Sequence, residues 1–479
     1  MHRTSKLLTA TALLLTTSSC GFDNNSRVSE AERQAGAAQH PTLLTEFGGA
    51  YPGEQAGYLA RIGGRIASAA GLEGQCTFTL VNTDVVNAFA VPGCFIYVTR
   101  GLMSLVNSED ELASVLAHEV GHITGEHAEQ QERRARIRNL GVVAVATITG
   151  SERLTRLAGS AAALFTLRYS RKHEYEADEL GLRYLQQAGY DPFAASDMLS
   201  ALDRYQAFLT ASEAADAAKS IPEWALTHPY TEKRIARADE AARETGLTPD
   251  AKEELEAQYL RRVDGLLYGD DPEQGFVLGR RFAHPILRIA FDAPGGFSLT
   301  NSPQAIYIDG PDGLRGEFGG GTLRAGGLPR YTDAVLASLL GDTPLLGATA
   351  ENLLVNGLPA RVVQAAVATE QGQVIVSLAA YVTAPGSAYH FVMLSSPQRQ
   401  PQRAIAELFR SFRILTPAEA ATLRPRVIDV VSAGPGDSMR SLAARMASER
   451  PLDQLLALNG RSAGQPLRPG ELIKVVVWR

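Results

Sequence analysis

Between residues 54 and 70 the apolar positions Leu59, Ile62 and Ile66 recur every three or four residues, the spacing of one helix face. Thr77–Val81 and residues 94–99 are short β-rich runs flanking Asn87-Ala-Phe-Ala-Val-Pro-Gly93. The stripe Leu112, Val115, Leu116, Val120 then predicts another helix, opened by Ser108 and Glu111 at capping-box spacing. Helical patterning returns from about Arg171 to Gln187 and continues to about residue 245, broken around Thr227-His228-Pro229. The apolar run 140–148 is half the length of a membrane span and reads as a buried or lid helix.

After about residue 270 the pattern shortens to β-runs with Gly/Pro turns. Residues 362–369, 374–382 and 389–394 predict an antiparallel meander, its first turn at Gln371-Gly372. Ala404, Ile405, Leu408, Phe409 and Phe412 mark an amphipathic helix. The glycines at 319–321 lack the Lys-Ser/Thr of a phosphate loop and read as a flexible turn. Residues 270–415 thus form an α+β domain without a catalytic constellation. Residues 425–479 read as a third unit, βααβ: a strand at 427–431, Gly436-Asp437-Ser438, two short helices, Leu458-Asn459-Gly460, Pro469-Gly470 and a closing strand. Nothing repeats at solenoid periods.

Composition narrows the partners. Hydrophobic residues (45%) and charged residues (20%) stand at globular levels, and the net charge of −6 argues against nucleic acid. The N-terminus is a processing signal over residues 1–20: basic Arg3 and Lys6, an apolar stretch from Leu7 to Leu15, then Thr-Ser-Ser-Cys-Gly. Small residues before Cys20 resemble the lipobox of bacterial lipoproteins, which implies lipidation at Cys20, with Thr17 where an aliphatic residue is usual. Ordinary signal cleavage nearby is the alternative. Gly21 is not acidic, which leans toward the outer membrane. Residues 21–45, rich in polar side chains, read as a tether. Export puts Cys76 and Cys94, at opposite ends of the apparent strand pair, in an oxidising compartment. They are either one disulfide or two buried thiols.

The candidate chemistry centres on His118-Glu119-Val120-Gly121-His122. Histidines at i and i+4 share a helix face and supply half of a tetrahedral zinc shell, with Glu119 beside the metal as general base. A third ligand must come from elsewhere. The metzincin spacing falls on Ala128. His127 is one residue short and about 140° round a continuing helix, a helix-end or surface position. The thermolysin-like spacing falls on Gly141. In Glu174-Tyr-Glu176-Ala-Asp178, Glu174 and Asp178 share a face, so one could bind zinc while the other orients an imidazole. A solvated acidic face is the alternative on those residues alone.

His-Glu-x-x-His followed by Glu-x-x-x-Asp some fifty residues later resembles the CAAX-prenyl-protease/heat-shock-protease family of zinc metallopeptidases, in its exported BepA-like branch. Asn87-Ala-Phe-Ala-x-Pro-Gly, Ile96-Tyr-Val-Thr-Arg-Gly-Leu102, Tyr169-Ser-Arg171 and Leu226-Thr-His-Pro229 with Arg234 carry the likeness further. It covers about residues 45–245 and stops there, because this chain lacks that branch's tetratricopeptide repeats.

The resemblance implies a mainly α zincin-type metallopeptidase domain with a small β-sheet over 46–250, which with the α+β and βααβ units read above makes a multidomain chain. It implies one Zn2+ per chain on His118, His122 and Glu174, with Glu119 as base and Asp178 behind a ligand. His228 is implied to occupy or gate the fourth position and to help at the oxyanion. His173, about 100° from Glu174 on the helix, reads as a helix residue, and Glu176 and Glu179 as surface charges. Substrate adding as a strand near 87–92 suits unfolded polypeptides.

The C-terminal unit resembles a LysM module through Gly436-Asp437-Ser438, Leu442-Ala443, Leu455, Leu458-Asn459 and Leu467-x-Pro469-Gly470, which implies peptidoglycan as a partner. A small structural βααβ domain is the alternative. An esterase reading of Gly-Asp-Ser fails because the last histidine, His390, lies upstream. Two functions follow: a periplasmic zinc endopeptidase acting on misfolded or misassembled envelope proteins, or a chaperone-like scaffold for unfolded clients and glycan. An intact Glu119 favours the enzyme.

Overall fold

The computed structural model describes residues 28–131, 133, 169–211, 228, 232–248, 253–341, 343–369, 372–398 and 401–479. Cys20 with the rest of the N-terminal signal, the run 140–148, and the neighbours of His228 in its loop lie outside them.

The first element overturns part of the tether expected over 21–45. Glu30–Glu46 is a helix, capped by Ser29 and Glu32 in a reciprocal box. Val28 packs into the main core, and Gly36 lies so close to the turn after residue 91 that a Cβ there would stand 2.4 Å from the Pro92 carbonyl. Polar composition concealed this helix, because apart from Leu43 and Leu44 near its end it seats on the body through Gly36 and through His40 against Tyr97 rather than through a continuous apolar stripe.

Helix Glu54–Ala69 buries Tyr58, Leu59, Ile62 and Ile66 as its periodicity dictates. It backs a three-stranded sheet ordered Thr77–Val81, Phe95–Thr99, Ala88–Val91. The first two strands run parallel and the third is antiparallel at the edge. Parallel pairing sets Thr77 opposite Phe95, so Cys76 and Cys94 meet at the same end of the pair rather than at opposite ends. They form a disulfide with Cα atoms 4.6 Å apart.

Helix Glu109–Thr124 begins at Ser108, whose hydroxyl accepts from the Glu111 N–H. The returning bond reaches one residue further than a capping box, from the Asn107 N–H to Glu111 Oε2 at 2.8 Å. Helix Arg171–Gln187 crosses it at close range. A Cβ at Gly121 would stand 2.8 Å from the Ala177 carbonyl, and one at Gly181 3.0 Å from the His118 nitrogen. The two glycines therefore let the helices approach until Glu174 reaches the histidines. Helices Ala194–Thr210 and Glu232–Glu244 complete the bundle. Among the described residues no helix is long and apolar enough to cross a membrane.

A β-rich region follows. Its seven-stranded antiparallel sheet contains the meander Leu358–Thr369, Gly372–Ala384 and Ser387–Ser395. One face packs on helix Gly327–Leu340. The other holds an aromatic core of Phe282, Phe291, Phe318, Phe391 and Phe412 under helix Gln402–Ser411. The glycines at 319–321, expected as a turn, lie within strand Arg315–Thr322, paired to His390, Tyr389 and Ala388.

The last unit has a βααβ order: Arg426–Ser432, Met439–Ala443, Pro451–Asn459 and Leu472–Trp478. It is not separate from the first domain. Leu267–Tyr268 adds to its sheet as a third strand, and its Leu455, Leu458, Ile473 and Val475 share one hydrophobic core with Leu105 and Leu112. Lys474, fully buried, donates to the carbonyls of Ser104, Leu105 and Val106 at 2.8–2.9 Å. These carbonyls close helix Arg100–Leu105, where an ammonium satisfies acceptors the helix leaves open.

Candidate metal centre

His118 and His122, one turn apart on the buried side of their helix, bring their Nε2 atoms to 3.1 Å. Glu174 enters from the crossing helix, with Oε2 3.6 Å from His118 Nε2 and Oε1 3.6 Å from His122 Nε2. His228 closes the group: its Nδ1 stands 3.2 Å from His118 Nε2 and 3.2 Å from Glu174 Oε1. All four residues are buried. Tetrahedral N and O ligands about 2.0–2.2 Å from a metal stand about 3.3–3.6 Å from one another. The observed separations bracket that edge length, and the donor set is one borderline cations accept.

Glu119 faces the same space. Its carboxylate is buried, with the backbone N–H of Ala90 pulling on it and no side-chain hydrogen bond among the described residues, and His228 Nε2 stands 3.5 Å away. Burial pushes its pKa up, against the pull of His228 and His118. A buried carboxylate without a side-chain partner is costly unless it serves something in the space it faces.

Behind the ligands lies a network that fixes them. His118 Nδ1 is 3.0 Å from Asp178 Oδ1. Arg234 grips Asp178 through Nε and a terminal nitrogen at 2.8 and 2.6 Å, and its other nitrogen reaches Glu174 Oε2 at 2.8 Å. One guanidinium thereby orients both a ligand and the partner of another. Burial disfavours charge on Glu174, yet His228 and His118 hold its carboxyl well below the usual range. Burial likewise opposes protonation of His118, but Asp178 and Glu174 bring its pKa up to about 9. His122, buried beside His118, is held well below the ordinary histidine value. Without a metal, His118 takes up a proton against Asp178 and Glu174; with the imidazoles neutral, as metal ligands must be, the carboxylates of Glu119, Glu174 and Asp178 outweigh the Arg234 guanidinium, and a divalent cation would balance the excess. The residues fit a metal.

Two histidines differ from their expected places. His127, expected at a helix end or on the surface, is fully buried, its Nδ1 2.8 Å from His122 Nδ1. The helix stops at Thr124, and Glu126 takes a left-handed φ of 52°, which turns the chain back toward His122. His173 is buried too, stacked on His127 with ring centroids 4.6 Å apart. Tyr169 stacks on His122 at 3.9 Å. Glu176 reaches toward His127 at 3.7 Å, while Glu179 is exposed. Gly125, three residues after the motif, is the sequence signal for the helix stop that brings His127 inward. Arg234 carried no signal beyond its place in the loop resemblance.

The edge strand Ala88–Val91 borders this centre. A small cavity beside it joins Ala90, Pro92 and Gly93 to His122 and Tyr169. Asn87, at the strand's entry, is buried with neither amide atom hydrogen-bonded.

A helix-borne His-Glu-x-x-His with a glutamate from a crossing helix, a buried Glu119 and an edge strand alongside is the arrangement expected of a metallopeptidase domain. Residues 53–242 match Peptidase family M48. The beta-barrel assembly-enhancing protease from Yersinia pestis is 31% identical over 224 residues, 45% of this chain and 44% of that one. The putative one from Vibrio cholerae is 34% identical over 201 residues, 39% of each chain. A mitochondrial metalloendopeptidase of Schizosaccharomyces pombe is 30% identical over 203 residues, 42% of this chain and 53% of that one. The chain thus spans about half the length of these relatives or less.

Proposed function

We propose that this protein is a zinc-dependent endopeptidase of the cell envelope that cleaves misfolded or misassembled proteins. The observation that carries the reading is the buried Glu119 carboxylate beside His118, His122, Glu174 and His228, whose donor atoms all lie within 4.8 Å of one another. Zinc, one per chain, would supply Lewis acidity and an acidified water there. Glu119 takes a proton at its carboxylate and returns it to the leaving amine; its raised pKa suits both steps. Asp178 and Arg234 hold His118 and Glu174 in place while this happens. Extended substrate aligns on the edge of Ala88–Val91, where backbone hydrogen bonds tolerate many sequences.

His228 fills the fourth corner of the ligand set, so substrate entry requires it to swing aside, and in doing so it stands ready at the oxyanion. The same closed corner favours a second reading, a scaffold that holds unfolded clients with little cleavage. Export, a lipid anchor at Cys20 and peptidoglycan contact through 425–479 belong to both. The deciding experiment incubates the protein with an unfolded polypeptide, beside Glu119→Gln. Cleavage by the wild type and about a hundredfold or greater loss in the variant is the expected result, the scale for removing a general base. Client binding with equal, negligible cleavage by both would replace the peptidase with the scaffold.

A further inference from the structure

The β-rich region carries an open cavity of about 540 Å³ between the end of strand Arg315–Thr322 and helix Gly327–Leu340. Gly320, Gly321, Arg324, Arg330, Tyr331 and His390 are its chemically telling walls, and no carboxylate lines it. Neither arginine has an ion pair among the described residues; Arg330 makes one long bond, 3.5 Å to the Ala325 carbonyl, and both are exposed residues of its lining.

The floor is more ordered. Tyr331 hydroxyl bonds the Ala388 carbonyl at 3.1 Å and His390 Nδ1 at 2.9 Å. A carbonyl cannot donate, so the hydroxyl proton goes to Ala388 and His390 Nδ1 must donate to the tyrosine oxygen. His390, only 4% exposed, is thereby held with its other ring nitrogen toward Gly319.

Successive glycines weaken a strand, and their usual reason is a ligand or backbone that comes close. Here a Cβ at Gly320 would stand 2.8 Å from the Tyr389 ring, and one at Gly321 3.2 Å from the Tyr331 hydroxyl. Both glycines are solvent-exposed, so their missing side chains leave the cavity mouth open.

We propose that this cavity is an oxyanion site that takes a phosphate group, carried either by a soluble phosphate ester or by a lipid headgroup. Two guanidiniums without counter-charges supply forked donors suited to phosphate geometry. The volume lies within the range of small-molecule sites and leaves room for an organic body behind the phosphate. The assignment stands apart from the metal centre and does not depend on peptidase activity.

Calorimetric titration of the full chain with inorganic phosphate and with glycerol phosphate tests the soluble source. Cosedimentation with phosphatidylglycerol–phosphatidylcholine vesicles, against phosphatidylcholine alone, tests the lipid source. Saturable binding to at least one probe is expected, weakened at least about tenfold by the Arg324→Gln/Arg330→Gln pair, the scale of one charge-assisted hydrogen bond. Gly321→Val, which closes the mouth and keeps both charges, should weaken binding as well. The melting temperature of the arginine variants should stay unchanged, and either single variant reads the same loss if the pair fails to fold. No saturable binding to any probe, or equal binding by the double variant, overturns the site.

Discussion

At the scale of single residues, the centre depends as much on Arg234 as on the ligands. It donates two hydrogen bonds to Asp178 and makes an ion pair with Glu174 at 2.8 Å, holding from behind the two carboxylates that His118 also touches. Arg234→Ala should lower zinc affinity about 10–100-fold, read by competition with a chelator, while the chain stays folded. Unchanged affinity would make the guanidinium a structural bystander. Asp270, far from the metal, carries a pH prediction. Burial, then the charge of Asp84, pushes its carboxyl up to about 6 from an ordinary 3.8. A raised folded-state value means the folded protein holds that proton more tightly. The stability it contributes is therefore full below about pH 4 and lost as pH rises through 6. Asp270→Asn should leave stability unchanged near pH 4 and raise it by about 1–3 kcal/mol at pH 8, measured by urea unfolding. A difference constant across pH would contradict it. Residues of this kind divide by how local their signal is. His118, Glu119 and His122 were legible because their spacing sits on one helix turn. Glu174 was ambiguous from spacing alone, since an acidic helix face looks the same in solvent. His127 was misplaced because a single helix stop at Gly125 redirects it.

At the scale of elements, periodicity recovered the helices Glu54–Ala69, Glu109–Thr124 and Arg171–Gln187 and the antiparallel meander. It could not give strand direction: two β-runs 18 residues apart look like a hairpin, whereas the chain crosses over to pair them in parallel with Ala88–Val91 outside. Nor could it see the helix Glu30–Glu46, whose seat depends on Gly36 against Pro92. The least legible contact is Lys474. A lysine in an apolar closing strand, Leu472–Trp478, looks like a surface charge, yet it is fully buried on three carbonyls just ahead of the helix that carries the metal ligands. Burial pushes its ammonium down to about 7, with Glu111 nearby as the opposing charge. Lys474→Met would strand three acceptors and that carboxylate, so a loss of about 2–5 kcal/mol in unfolding free energy is expected. A loss within about 0.5 kcal/mol, the range of ordinary surface substitutions, would mean the clamp contributes nothing.

At the scale of the whole molecule, the sequence suggested three units in a row, and composition does change near residue 270. Packing merges the first with the last. The C-terminal βααβ hairpin shares the peptidase core and borrows Leu267–Tyr268 as a strand, while the β-rich region is built around its own aromatic core. Segment-by-segment reading misses such a merger because both partners look complete alone; only burial of Lys474 and its apolar neighbours reveals it. The peptidase account rests on all these parts delivering one cation site at the helix crossing. Zinc content per chain, measured by mass spectrometry on protein purified without chelator beside Glu174→Gln and His118→Ala, tests it most directly. The account predicts about one zinc per wild-type chain, lost or sharply weakened in both variants. A zinc-free wild type, or zinc retained in full by both variants, would contradict it.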